Sequence, residues 1–98
     1  MAKLALLARL EAKEGKETQV ADFLRAGLQL AHEEAGTPVW FALQIGPSTF
    51  GVFDAFEDEA GRQAHLNGKI AKALMANASE LLRKPPTIEK IEILGAKL

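Results

Sequence analysis

From Lys3 to Ala12 the apolar positions alternate with a period of two. Leu4, Leu6, Ala8 and Leu10 fall on one face, and Ala5, Leu7 and Arg9 on the other, which predicts a strand. After Gly15 the spacing changes to three and four. Val20, Phe23, Leu24, Gly27, Leu28 and Ala31 form one stripe, while Glu17, Gln19, Asp22, Arg25 and Gln29 take the wet side, the pattern of an amphipathic helix. Gly36-Thr37-Pro38 ends that helix, because proline disfavours a helical residue before it. Val39–Ile45 and Thr49–Phe56 read as two strands joined by the turn Gly46-Pro47-Ser48. Both are apolar on both faces apart from Gln44 and Asp54, so both sides of the sheet need cover.

Asp58 or Glu57 suits the N-cap of a short helix running to about Leu66, and Asn67-Gly68 suits its stop. A further helix over Lys69–Leu82 sets Ile70, Ala73, Leu74, Ala78 and Leu81 on one face, until Pro85-Pro86 forbid its continuation. Thr87–Leu94 is the last strand, mixed in pattern as an edge or partner-facing strand would be. The order β-α-β-β-α-β, with the second helical region broken at Gly68, predicts a single α+β domain over residues 1–98. Its fold class is ferredoxin-like, a four-stranded antiparallel sheet with helices on one face. The chain has too few helices to cover the second face, which points to a partner subunit.

Composition narrows the chemistry. The 98 residues carry 12 basic and 13 acidic side chains, a formal charge of −1, so the electrostatic basis for nucleic-acid or polybasic membrane binding is missing. There is no cysteine, which excludes disulfide scaffolds, thiolate nucleophiles and cysteine-ligated metals. Two histidines, His32 and His65, leave little for a multi-histidine metal centre. Arg9 and Glu11 interrupt the apolar start too early for a signal peptide, and no apolar run reaches the roughly 18–20 residues of a membrane span. The expectation is a cytoplasmic, untethered protein.

His65 is the most informative titratable residue, because an imidazole near its reference pKa of about 6.5 can take or give a proton at neutral pH. Arg62, three residues earlier, shares its helix face. Asp54 is a carboxylate inside the apolar strand Phe50–Phe56, and burying it without a partner costs several kcal/mol. Arg62, His65 or a group on the partner subunit could supply that partner, and a structural ion pair would satisfy the same need. Trp40, Phe41, Phe50, Phe53 and Phe56 form an aromatic cluster on the central hairpin. They serve either as core or as the wall of a pocket in which Gln44 or the Trp40 indole N–H orients a ligand oxygen. Ser48 and Thr49 have no acid or histidine at triad-like positions, His32 beside Glu33 and Glu34 reads as a solvated helix-end histidine, and Gly46, Gly51 and Gly61 make no phosphate-binding pattern.

The stretch Phe50-Gly51-Val52-Phe53-Asp54-Ala55-Phe56-Glu57-Asp58-Glu59-Ala60-Gly61-Arg62-Gln63-Ala64-His65-Leu66 resembles the antibiotic biosynthesis monooxygenase domain. There an aromatic and acidic strand end is followed by an Asp-Glu-Ala-type helix start and then a histidine. Glu14-Gly15-Lys16-Glu17, Glu34-Ala35-Gly36-Thr37 and Trp40-Phe41 fit the same pattern, so the resemblance spans essentially the whole chain. It implies a homodimer paired through the open sheet face into a dimeric α/β barrel. It also implies oxidation of a quinol-like or polycyclic phenolic molecule by O₂ with no metal, flavin or haem cofactor. Under that resemblance His65, Asp54 and Arg62 are the candidate catalytic residues, and Trp40, Gln44, Phe50, Phe53 and Phe56 the candidate substrate-binding ones. The haem-degrading branch is disfavoured: the positions where those relatives carry asparagine, tryptophan and histidine offer Ala8, Ala55-Phe56 and no histidine between Lys69 and Leu82. The oxygenases of polyketides tend to use a tyrosine, which this chain lacks. A dimer that binds a small aromatic ligand without turning it over is the alternative reading.

Overall fold

The computed structural model describes residues 2–98 and has the order β1 (Leu4–Glu11), α1 (Glu17–His32), β2 (Val39–Gln44), β3 (Thr49–Phe56), α2 (Glu59–Leu66), α3 (Lys69–Leu81) and β4 (Thr87–Glu92). The strands form one antiparallel sheet in the order β2-β3-β1-β4. This is the ferredoxin-like α+β arrangement. β1 and β3 run through the centre, paired residue for residue from Leu4↔Phe56 to Glu11↔Thr49.

Register decides which side chains meet the helices. Leu6, Ala8 and Leu10 stand opposite Asp54, Val52 and Phe50, and those in turn opposite Trp40, Ala42 and Gln44. On this face Leu10, Phe50 and Val52 join Val20 and Leu24 of α1 and Leu82 in the core, with Trp40 and Leu74 packed against it. Burying Phe50 and Phe56, both nearly inaccessible, contributes about 2–3 kcal/mol each.

The opposite face has no helix. Leu7, Leu43, Phe53 and Ile91 are half-buried there, and Phe41 and Ile45 are 53% and 47% exposed. The alternation expected for β2 and β3 is therefore present, with one of the two apolar faces covered by the chain's own helices.

Two details depart from the sequence reading. Leu28 is 46% exposed rather than inward-facing. Val20, Leu24 and Ala31 set the buried seam of α1, and at about 100° per residue Leu28 falls well to one side of it. The helix also stops at His32, short of Gly36-Thr37-Pro38. The Glu33 and Glu34 amides bond back to Leu30 and Ala31, and the Thr37 amide bonds to the Glu34 carbonyl. Residues 33–37 are thus a turn, which frees the Glu34 side chain from the helix surface.

α2 begins as expected. Asp58 is its N-cap, and the carboxylate accepts a hydrogen bond from the Gly61 amide at 2.9 Å. α2 then lies directly against the 33–37 turn because both contact points are glycine. A Cβ on Gly61 would sit 2.9 Å from the Gly36 carbonyl oxygen, closer than real Cβ contacts allow. That close approach brings His65 within reach of Glu34.

Candidate active site

Three elements converge on His65. β3 presents Asp54 to the helix-covered side, α2 carries His65 on its inner face, and the turn after α1 supplies Glu34. The imidazole Nε2–H donates to Asp54 Oδ2 at 2.7 Å, and Nδ1–H donates to Glu34 Oε1 at 2.5 Å. Thr37 Oγ1 donates to the same Glu34 oxygen at 3.1 Å. The Phe56 ring stands 5.4 Å from the imidazole, tilted by 43°.

Asp54 is 2% exposed and His65 7%. Burial works against the charged imidazole, but the hydrogen bonds to Asp54 and Glu34 and the charges of both carboxylates outweigh it. The balance raises His65 from 6.5 to about 8. At neutral pH the ring is therefore an imidazolium, donating from both nitrogens.

Three buried polar atoms of this region have no hydrogen-bond partner among the protein groups: Asp54 Oδ1, Trp40 Nε1 and Glu34 Oε2. The first two belong to residues directly opposite each other across β2 and β3, whose Cβ atoms in such pairs lie about 5 Å apart. One is an acceptor and the other a donor. Buried polar groups are nearly always paired, and a hydroxyl group is the kind of partner that can both donate to an acceptor such as Oδ1 and accept from a donor such as Nε1.

The remaining candidates are placed separately. Arg62 is not bonded to Asp54 or His65. Its guanidinium grips Glu59 one turn back, at 2.5 Å from Nη2 and 3.4 Å from Nε, and reaches the Ala5 and Ile91 carbonyls at 3.4 and 3.5 Å. The Arg62 hydrogen bond, helped by Gln63, holds the Glu59 carboxyl below its usual range. Phe50 and Phe56 are core on the helix-covered side, Trp40 packs over Gly27 of α1, and Phe53 lies on the opposite sheet face. Gln44 is exposed and donates to the Gly46 carbonyl at 3.2 Å. The five expected wall residues thus do not line one surface. His32 is exposed at the helix end.

Glu34 was not singled out among the sequence candidates, since its role depends on where α1 stops. It also lines, with His65, a cleft of about 300 Å³ between the end of α1 and the α2–α3 junction. Among the described residues no group of three or more His, Cys, Asp or Glu side chains is arranged to hold a metal ion. None of the helices is long and apolar enough to cross a membrane.

Solved structures give this geometry its relatives. NE2512 from Nitrosomonas europaea, a protein of unknown function, superposes with a TM-score of 0.98 at 69% identity, covering 100% of this chain and 95% of its own. The chain belongs to the NE2512 family. A second N. europaea protein, described as a "Putative antibiotic biosynthesis monooxygenase", matches with a TM-score of 0.83 at 15% identity over 94% of this chain and 99% of that one. A Bacteroides thetaiotaomicron protein described as "Possible Oxidoreductase" matches at 0.78 and 13% identity, over 94% and 98%. At such identities the likeness is one of fold alone, a fold that this chain shares with proteins bearing those descriptions. No protein-family model matches the chain, and no curated protein does.

Proposed function

We propose that this NE2512-family protein is an oxidoreductase, a cofactor-independent monooxygenase that oxidises a quinol-like or polycyclic phenolic molecule with O₂. The observation that carries the reading is the buried, unpartnered acceptor and donor on the cross-strand pair Asp54 and Trp40, with an imidazolium behind the carboxylate. The names borne by proteins of the same fold, a monooxygenase and an oxidoreductase, support it.

In this mechanism the phenolic O–H donates to Asp54 Oδ1 while its oxygen accepts from Trp40 Nε1. Asp54 takes the proton as general base. His65 keeps the carboxylate oriented and its charge compensated through Oδ2. The phenolate formed is electron-rich enough to reduce O₂. One oxygen atom enters the ring carbon and the other leaves as water, with the two hydrogens of that water coming from the substrate. For a hydroquinone the products are a hydroxyquinone and water, so no external reductant is needed. Phe56, whose ring stands 5.4 Å from the imidazole, packs against His65 behind the carboxylate. Arg62 belongs to this reading as the tie between α2 and the β1 and β4 carbonyls that fixes the helix carrying His65.

The protein works here as a homodimer whose second copy covers the helix-free sheet face, where Phe41 and Ile45 are exposed. The test is O₂ consumption by metal-stripped protein over a panel of hydroquinones and anthrones. Uptake above autoxidation that falls about 100-fold or more in Asp54→Asn is the expected outcome, the usual scale of a general base. Saturable binding of the same compounds without O₂ uptake would instead favour a ligand-binding dimer.

A further inference from the structure

We propose that Glu34 is a positioning residue that keeps His65 protonated on both ring nitrogens, and so keeps a charged partner behind Asp54. The inference rests on the oxygenase reading for its catalytic consequence, although its structural half stands without it.

A neutral imidazole carries one N–H. Set between two carboxylates, it would turn a lone pair toward one of them, at 2.5 or 2.7 Å. Only the imidazolium satisfies both. Asp54 faces the ring from β3 and Glu34 from the end of α1. Glu33 is turned to Lys69 of α3 at 3.9 Å, and Arg62, on α2 with His65, is turned to Glu59. Neither β1 nor β4 gives the ring a charged partner among the described residues. The proton on Nδ1 therefore depends on Glu34.

Several features outside the ion pair hold Glu34 in place. α1 ends early enough to release its side chain, and Thr37 Oγ1 donates to Oε1. Gly36 and Gly61 let the turn touch α2, and at Gly68 a Cβ would lie 3.0 Å from Glu34 Oε2. The Glu34 side of the ring borders the 300 Å³ cleft, whose lining does not include Asp54. Removing the Glu34 charge would leave Nδ1 to face cleft water while Nε2 stayed on Asp54.

The experiment compares the parent with Glu34→Gln and Glu34→Asp, following the His65 ring protons by NMR from pH 5 to 10. The parent midpoint is expected at about 8. In Glu34→Gln it falls toward 6.5, and Glu34→Asp restores part of the difference. A fall of one unit would lower the protonated fraction at pH 8 from one half to about one tenth. The alkaline limb of O₂ consumption should move by the same interval. An unchanged midpoint in Glu34→Gln overturns the proposal, and so does a midpoint that moves while the alkaline limb of an active protein stays put. If the Gln variant fails to fold, a Glu34→Asp midpoint equal to the parent's overturns it equally. A shifted midpoint in proteins that consume no O₂ supports Glu34's hold on His65 and sinks the oxygenase reading alone.

Discussion

Raising the pH should loosen this protein in a narrow window, and His65 sets the size of the effect. Its pKa is 6.5 in an unstructured chain and about 8 in the fold. A group whose folded value is raised stabilises fully below the unfolded value, and the stabilisation disappears as pH rises through the folded one. The difference corresponds to about 2 kcal/mol. The contribution is complete below pH 6.5, declines through pH 8 and is essentially gone by about pH 9. Glu59, the other shifted group, is held below 4.5. Its effect is already complete at pH 6 and does not alter across this interval. Urea titrations at pH 6 and pH 9 at one fixed protein concentration read the effect directly. With a denaturant slope of about 1–2 kcal/mol/M, the midpoint should fall by about 1–2 M. His65→Gln, starting from a less stable baseline, should lose most of that pH dependence. A parent midpoint that is equal at the two pH values, or a fall of the same size in His65→Gln, would refute the reasoning.

Gly61→Ala should force α2 off the 33–37 turn, because its Cβ would meet the Gly36 carbonyl oxygen at 2.9 Å. We expect a loss of about 1–3 kcal/mol, read as a lower thermal midpoint, and parent-like stability would show that the two segments separate freely. Phe41→Glu puts a charge on the helix-free sheet face, where Phe41 is 53% exposed in the single chain. Sedimentation should show the parent as a dimer and the variant as a monomer, and a parent that sediments as a folded monomer at micromolar concentration would remove the pairing.

The elements were legible because each keeps one period for long enough. β3 runs over Thr49–Phe56 as the alternation required, and α3 closes one residue before Leu82. The need of Asp54 for a partner was also readable, since a carboxylate within Phe50–Phe56 cannot be buried alone. His65 fills that need. Glu34 was hidden for a physical reason. Its contact with His65 spans 31 positions and exists only because α1 stops at His32 and two glycines let the turn approach α2. Neither event has a period. Arg62 shows the opposite case. A partner three residues back, Glu59, was in plain view on the same helix, and a local pair of that kind competes successfully with a distant carboxylate. The aromatic residues were grouped by type along the hairpin, whereas strand alternation sends Phe53 to the far face from Phe50 and Phe56.

Trp40 is the chain's single tryptophan, so its fluorescence reports directly on the site where a ligand hydroxyl should bind. The most direct test is an anaerobic titration with a hydroquinone and with its dimethyl ether, which has the same ring and no O–H donor. The account predicts saturable quenching by the hydroquinone that is weakened at least tenfold in Asp54→Asn, about 1.4 kcal/mol for the hydrogen bond to the carboxylate, and little response to the ether. Equal binding of the two compounds, or an Asp54→Asn protein that binds the hydroquinone as tightly as the parent, would contradict it.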